Sequence, residues 1–322
     1  MMAQLRDAGA HVIALEASSH GLEEGRLDAV DINVAVLTNF GRDHLDYHDT
    51  LAQYKSAKAR LFSWPGVQSV VLNGQDELGQ ELATTLADSA PVSSSVHADL
   101  RLHAESIELH NQGMRFGLVD NGTRFEQQSN LMGSFNVENL LACYGVLRAL
   151  GMAANDASAS LESVEQVPGR IEQFNGVNKP TVIVDFAHTP QALAAVMDAV
   201  RKHCEGSLWV VFGCGGDRDP GKRAPMGHAA EQADHIIVTD DNPRTEKSET
   251  ILADIVAGMD KPDRAIVIAD RTQAIGYALS HAASNDVVLV AGKGHEDYQI
   301  IGTKKRDFSD RLVVRRFMQE AI

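Results

Sequence analysis

Two stretches near the amino terminus concentrate groups able to hold a cation. Glu16 ends the apolar run HVIALE (11–16), which reads as a strand and continues into ASSHG. A carboxylate at the carboxyl end of a strand suits a hard cation such as Mg2+; the ordinary alternative is a solvated loop glutamate. Ser18 and Ser19 stand where they can cap a following helix. In TNFGRDHLDYH (38–48), Asp43, His44, Asp46 and His48 fall within six positions. That grouping can bind a metal, but histidines satisfied inside a loop are the commoner outcome. Lys55, Lys58 and Arg60 follow on a predicted helix, where the plain reading is a solvated basic face.

A second set of groups lies in the carboxyl-terminal half. In DDNPRTE, Asp241, Asn242 and Arg244 sit just past a predicted strand, and Pro243 stiffens the turn between them. The planar fork of Arg244 suits a carboxylate. Arg218, in GGDRDPGKR, and Glu296, in AGKGHED, occupy loops of the same kind. Arginines and a carboxylate on one sheet edge suit a zwitterionic amino acid; the alternative is a structural network in which these charges pair with one another. The stretch from Gly216 to Lys222 matches GxxxxGK, yet a nucleotide-binding P-loop needs Ser or Thr next, and Arg223 stands there. Pro220 also removes a backbone donor. This motif is rejected as a P-loop, and the chain contains no other GxxxxGK[ST].

The elements that position these loops follow from the apolar pattern. TVIVDF (181–186), SLWVVFG (207–213), HIIVTD (235–240), AIVIAD (265–270) and DVVLVAG (286–292) alternate with amphipathic stretches such as PQALAAVMDAVRKHC and KSETILADIVAGM. Continuous apolar strands between helices predict a parallel sheet buried on both faces, in a doubly wound α/β domain. Ligands of such sheets bind at the carboxyl ends of strands. Upstream, NVAVLTN (33–39) and SVVLN (69–73) also read as strands, and about residues 97–130 the polar alternation predicts an antiparallel excursion. FNVENLLACYGVLRALG reads as a helix ending at Gly151, and Pro168-Gly169 marks a domain boundary. A domain seldom begins on an interior strand such as 11–16, so the chain is expected to be cut at its amino terminus.

The length of 322 residues suits two domains. A net charge of −15 disfavours non-specific binding to nucleic acid or anionic membrane. No apolar run is long enough to span a bilayer, and Cys143, Cys204 and Cys214 lack metal-type spacing, so they read as reduced thiols in a cytoplasmic protein.

LEASSHGL, TNFGRDHLDYH, YKSAKARLF, GSFNVENLLA, PGRIEQF, VDFAHTP, FGCGGDRDPGKR, TDDNPRTE and VLVAGKGHEDYQ occur in this order. Together they resemble the Mur ligase family over essentially the whole chain, and DNPR is similar to the signature of members that add meso-diaminopimelate rather than lysine. The resemblance implies a truncated central ATPase-type α/β domain at 1–168, for ATP, Mg2+ and UDP-MurNAc-dipeptide. A Rossmann-like amino-acid-binding domain would follow at 169–322. It implies an ATP-dependent amide ligase of peptidoglycan precursor synthesis that works through an acyl phosphate on UDP-MurNAc-L-Ala-D-Glu, as a monomer. Glu16 and His44 resemble Mg2+ ligands, and Lys58 the lysine that the family carbamylates to face the metal. Ser18, Glu24 and Arg26 match muramoyl-dipeptide contacts, although the family usually has Gln where Glu24 stands. Asn136 and Asn139 resemble residues near adenine; Arg170 and Asp185 would reach ATP phosphate and ribose. Arg218, Asp241, Asn242, Pro243, Arg244, Gly292 and Glu296 match the diaminopimelate pocket, and His188 a loop-positioning residue. The family's uridine-binding domain and glycine-rich P-loop have no counterpart in these residues, so the chain is expected not to turn over alone. The alternative is a non-catalytic diaminopimelate-binding or regulatory protein. An NAD-type oxidoreductase is disfavoured by the lack of GxGxxG after a strand.

Overall fold

The computed structural model describes residues 2–41, 47–86, 91–94 and 101–319. Its elements in chain order begin with α1 (Met2–Asp7), α2 (Ser19–Glu23), β1 (Val34–Leu37), α3 (Leu51–Ala59), β2 (Ser69–Asn73), α4 (Glu77–Thr85) and β3 (Pro91–Ser94). Next come β4 (Leu102–His110), β5 (Gly113–Asp120), β6 (Thr123–Ser129), α5 (Phe135–Ala149) and α6 (Ala154–Leu161). The rest are β7 (Glu172–Phe174), β8 (Thr181–Asp185), α7 (Pro190–Arg201), β9 (Leu208–Phe212), α8 (Arg223–Ala230), β10 (His235–Val238), α9 (Ser248–Ala257), β11 (Ala265–Val267), α10 (Arg271–His281), β12 (Val287–Ala291), β13 (Tyr298–Ile301), β14 (Lys304–Asp307) and α11 (Asp310–Gln319). The chain divides into two compact units. The first holds the residues up to Glu105, Leu118–Phe125 and Glu138–Ala159; the second holds Ser106–Gly117, Glu126–Val137 and Ser160 onward.

The second unit contains the predicted parallel sheet, in the order β11-β10-β9-β12-β8-β7. All its pairings are parallel except that of the short edge strand β7, which runs antiparallel to β8. Side chains alternate between two cores, as the period of two requires. Ile183, Leu208, Val210, Phe212, Ile236, Val238 and Leu289 pack with α7, α8 and α9. Val182, Val184, Trp209, Val211, Ile237, Val288 and Val290 pack with α10 and Val314 of α11. Both faces are therefore buried, which is why the strands read as unbroken apolar runs. Beneath the strand ends, Arg271 and Asp310 form a wholly buried bidentate pair of 2.7 and 2.8 Å, and Arg271 also donates to the Ala291 carbonyl at 2.8 Å. The pair fixes the amino ends of α10 and α11 to the end of β12.

The Val167–Arg170 turn has Pro168 second and Gly169 third, with Gly169 at φ +68 and Arg170 N–H donating to the Val167 carbonyl. Those are the requirements of a type II turn. A side chain on Gly169 would also meet His295 N at 2.1 Å, so the turn needs glycine for space as well as for φ. Within the same unit, His203 accepts a hydrogen bond from Gly133 N–H at 2.8 Å through Nε2, so Nδ1 carries the proton and donates to the His110 carbonyl at 2.8 Å.

β1, β2 and β3, in the first unit, are parallel and head a sheet of order β1-β2-β3-β4-β5-β6. β5 and β6 are joined by Asn121-Gly122, both at positive φ, as a tight hairpin demands. Helix α5 ends before Gly151, which has φ +89. The expected strand at 11–16 is not formed. That segment pairs with no strand among the described residues, and Val12 and Leu15 stay exposed at 62% and 42%. An apolar run becomes a strand only where a neighbour takes its backbone hydrogen bonds. Among the described residues no helix is long and apolar enough to cross a membrane.

Removing one half of the buried ion pair should be far worse than removing both. Asp310→Ala is expected to cost about 3–5 kcal/mol, whereas an Arg271→Met, Asp310→Leu double replacement should cost much less. Urea unfolding followed through Trp209, in a Trp64→Phe background, would test this; a single variant as stable as its parent would contradict it. His203 is held below its ordinary 6.5, chiefly by burial, with the His110 carbonyl opposing. The unfolded chain therefore binds the proton more readily, and stability is lost as pH falls below about 6.5. His203→Gln should flatten that part of the stability–pH curve.

Candidate functional site

Parallel strands deliver the loops after β9, β10 and β12 to one edge, and these strands are neighbours in the sheet. The loop after β10 is the hub. Asp241, Asn242 and Pro243 are buried and Arg244 is half-buried. Asn242 Oδ1 accepts from the Ile300 backbone at 2.9 Å and from Lys293 Nζ at 3.1 Å, and its Nδ2 faces Glu296 at 3.4 Å. The Asp241 carbonyl accepts from Gln299 Nε2 at 2.9 Å. One asparagine thereby hangs β13 on the loop.

Arg244 occupies the left-handed region at φ +51, which costs energy for any residue with a Cβ. Three contacts hold it there. Its N–H donates to the Ile300 carbonyl, its own carbonyl accepts from Gly302 N–H at 2.7 Å, and its guanidinium donates to the Gly216 carbonyl at 2.7 Å. One donor is spent, and most of the guanidinium's five remain. A Cβ on Gly215 would lie 2.9 Å from Arg244 Nη1 and 3.7 Å from Arg218 Cγ, so the two arginines flank this glycine. Arg218 is exposed and makes no ion pair among the described residues. The β9 loop is latched to the β10 loop from behind. Gly216 N–H donates to the Asn242 carbonyl, and Asp217 accepts from the Thr245 backbone and hydroxyl, which lowers its carboxyl pKa. Arg223, buried, grips Glu246 and Asp254. Lys222 donates to the His188 carbonyl, so neither Lys222 nor Arg223 of the rejected P-loop motif behaves as a phosphate ligand would.

The β12 loop supplies the negative side. Gly292 lies at φ +118, and a side chain there would sit 3.0 Å from Asp241 Oδ2; glycine keeps a side chain off that oxygen. Lys293, wholly buried, reaches Asp241 Oδ1 at 3.4 Å, Glu296 Oε2 at 3.3 Å and the Tyr298 carbonyl at 2.8 Å. The Glu296 carboxylate beside Tyr298 raises the phenol's pKa, with Asp241 adding to the effect and Arg244 opposing it. Asp241, Asn242, Arg244, Gly292 and Glu296 are thus brought together, with Arg218 at the rim. The arrangement can hold an anionic and a cationic group of one small molecule at the same time. Lys293 and the hairpin of β13 and β14 are absent from the expected set. A lysine between two glycines after an apolar strand was the available signal for Lys293.

Asp185 is buried, and its two oxygens accept from Ile171 N–H and Ala187 N–H at 2.8 and 2.7 Å. Arg170 is exposed, with its guanidinium 4.8 Å over the Phe186 ring, and His188 Nδ1 is 2.9 Å from the Phe186 carbonyl. Asn136 Nδ2 donates to the Met132 carbonyl at 2.7 Å, and Asn139 is exposed one turn further along α5.

In the first unit, Ser18 caps α2, accepting from Gly21 N–H at 3.1 Å. Glu24 and Arg26 pair with each other at 2.5 Å on the surface, which offsets the glutamate's charge. His48 is a satisfied loop histidine: it is buried, 2.8 Å from Ser19 Oγ and 3.7 Å from Glu23. Its ring lies 5.2 Å from that of Tyr54, and Lys58 Nζ is 5.4 Å from the Tyr54 ring. Glu16 is exposed and makes no ion pair among the described residues; Asp43, His44 and Asp46 lie outside them. Glu16 offers hard oxygens, but an ammonium such as Lys58 is no ligand, so the described residues alone do not compose a Mg2+ site. The described metal-type donors that do converge are His228, Glu231 and Asp260, at the carboxyl ends of α8 and α9. There the two Glu231 oxygens already accept from the backbone of Asp260 and Lys261.

Comparison with known proteins bears on this geometry. The family described as Mur ligase middle domain matches residues 1–147, and Mur ligase, glutamate ligase domain matches 169–294. The UDP-N-acetylmuramoyl-L-alanyl-D-glutamate--2,6-diaminopimelate ligase of Xanthomonas oryzae pv. oryzae (strain MAFF 311018) is 45% identical over 97% of this chain and 64% of its own length. The protein of the same name from Xanthomonas campestris pv. campestris (strain 8004) gives the same three figures. A solved structure of an enzyme of that name superposes with a TM-score of 0.77 at 38% identity, covering 97% of this chain and 65% of that one. Mycobacterium tuberculosis folylpolyglutamate synthase complexed with ADP, at 21% identity and a TM-score of 0.67 over 90% of this chain and 67% of that one, shares the fold. The chain spans 64% of the length of the Xanthomonas relatives it matches. It belongs to the Mur ligase family, of which it carries the middle domain and the glutamate ligase domain.

Proposed function

We propose that this chain is the amino-acid-binding part, with a portion of the central part, of an ATP-dependent ligase. The ligase would join meso-diaminopimelate to UDP-MurNAc-L-Ala-D-Glu in peptidoglycan precursor synthesis, in the cytoplasm and as a monomer. One observation carries the reading: Arg218 and Arg244 flank Gly215 while Asp241 and Glu296 lie on the adjoining loops. A lysine that presents its α-amine for attack has no carboxylate at its far end, whereas meso-diaminopimelate has a carboxylate and an ammonium at each end. A pocket with separate cationic and anionic sides recognises one of those ends entire. The arginines hold the carboxylate in a planar fork, and Asp241 and Glu296 hold the ammonium. The other end of the ligand is then free to present its amine for attack on an activated carboxyl group. ATP, with Mg2+, would supply that activation as an acyl phosphate. In this reading Pro168-Gly169 divides the central part, 1–168, from the amino-acid-binding part, 169–322. Glu16, His44 and Lys58, the last as its carbamate, would serve the metal. Ser18, Glu24 and Arg26 would serve the muramoyl dipeptide; Asn136, Asn139, Arg170 and Asp185 would serve ATP.

The second reading is a diaminopimelate-binding protein without turnover. Phosphate release by the chain fused to the upstream part of a relative, given ATP, Mg2+ and both substrates, separates the two.

Calorimetry should show meso-diaminopimelate binding to the 322-residue chain and cadaverine, which keeps both amines but has no carboxylate for the arginine fork, binding at least about tenfold more weakly. Equal affinities would remove the distal-end pocket. Arg244→Ala should cost about 2–5 kcal/mol of that binding, and an unchanged titration would exclude Arg244. In a ligase completed by fusion to the upstream part of a relative, Lys58→Ala should abolish most turnover, with partial rescue by added formate or acetate. Parental rates would end the carbamate assignment.

A further inference from the structure

Lys293 is the largest polar feature of this edge that the proposed chemistry leaves unused. Its side chain is wholly buried, with the rings of Tyr298 and Phe308 5.7 and 6.0 Å from the ammonium. Burying a charge is expensive unless it is paired and hydrogen-bonded. Here the ammonium has three donors and three hydrogen-bond acceptors: Asn242 Oδ1, Glu296 Oε2 and the Tyr298 carbonyl. The acceptors come from the loop after β10, the loop after β12 and the start of β13. No apolar side chain of similar volume could join these segments.

The carboxylates are engaged unevenly. Lys293 approaches Oδ1 of Asp241 and Oε2 of Glu296, one oxygen of each. The other Asp241 oxygen, Oδ2, faces Gly292, where no side chain intrudes. The other Glu296 oxygen, Oε1, meets among the described residues only the Tyr298 hydroxyl, at a long 3.4 Å. One oxygen of each anion is therefore fixed from beneath, and its partner is left for a ligand.

We propose that Lys293 is the positioning residue of the amino-acid pocket, clamping Asp241, Glu296 and Asn242 so that the ligand-facing oxygens are aimed before the amino acid arrives. This rests on reading the pocket as a meso-diaminopimelate site. Lys293 itself touches no ligand; it acts through Asp241 and Glu296. The charged and titratable groups around the clamp are Asp240, Asp241, Glu296, Tyr298, Arg244 and Cys214, with Lys305 over the Tyr298 ring and the Arg271–Asp310 pair beneath. Removing the ammonium leaves two neighbouring carboxylates without their shared cation, and such a pair takes up a proton more readily. A proton on either oxygen cancels the attraction for the ligand's ammonium.

The test is calorimetric titration of the full 322-residue chain with meso-diaminopimelate between about pH 6 and pH 8, in the unaltered protein and in Lys293→Met. The variant should bind at least about 30-fold more weakly at the upper pH. Its affinity should then fall further as pH is lowered, while the unaltered chain changes little. Simple loosening of the fold would weaken binding equally at each pH. A folded Lys293→Met that binds like the parent, or one whose loss is the same at every pH, overturns the proposal. If Lys293→Met lacks a native near-ultraviolet circular dichroism spectrum, Lys293→Arg decides. Its longer planar head keeps the charge but displaces Glu296, so binding should weaken at least about tenfold with a flat pH profile; parental affinity overturns the clamp. Absence of binding by the unaltered chain would instead overturn the pocket reading itself, and the clamp with it.

Discussion

A parallel sheet cannot be closed by tight hairpins, and the carboxyl-terminal unit follows from that constraint. Each strand from β8 to β12 needs a crossover helix, and the helices cover both faces, leaving polar groups nowhere to gather except the strand ends. Because every strand in this run points the same way, all its carboxyl-terminal loops reach one edge. The order β11-β10-β9-β12-β8-β7 then inserts the last parallel strand between the first two. That return sets the Gly292–Glu296 loop beside the Asp241–Arg244 loop, although some fifty residues separate them in the chain. Charges that sequence keeps apart are made neighbours by topology.

Charge burial is how this edge is made rigid. Arg271 with Asp310, and Lys293 with Asp241 and Glu296, place cations where water cannot reach them. Each is satisfied by several acceptors, so the desolvation cost is met by hydrogen bonds as well as by Coulomb attraction. Arg244 adds backbone strain to the same small region. Strain and buried charge both persist only where the surroundings over-determine them. Here three backbone or side-chain contacts hold Arg244, and three acceptors hold Lys293.

The β-branched runs made the sheet legible in the sequence, and β8, β9, β10 and β12 each fall inside the run that predicts them. The helix ending at Gly151 was equally legible, because glycine at positive φ leaves a chemical mark. Residues 11–16 misled: their composition is that of a strand, but pairing depends on a neighbour, which local pattern does not encode. At the site, Asp241, Asn242, Arg244 and Glu296 stood out as polar residues after strands. Lys293 did not, because its partners are distant in sequence and its burial is decided by the hairpin of β13 and β14, whose charged KKRD strand carries no apolar signal. For Asp185 the resemblance implies an ATP contact; in the structure its two oxygens accept from the backbone of Ile171 and Ala187, which fixes the carboxylate in place.

The central claim is that one edge of the carboxyl-terminal sheet is a preassembled site for a zwitterion, built from three loops that act as one. Amide hydrogen exchange of the chain, with and without saturating meso-diaminopimelate, tests it most directly. The account predicts slowed exchange confined to the loops after β9, β10 and β12 and to the start of β13, within residues 213–218, 239–246 and 292–302. Saturable binding that leaves those segments unchanged, or that slows exchange only in the amino-terminal unit, would contradict it.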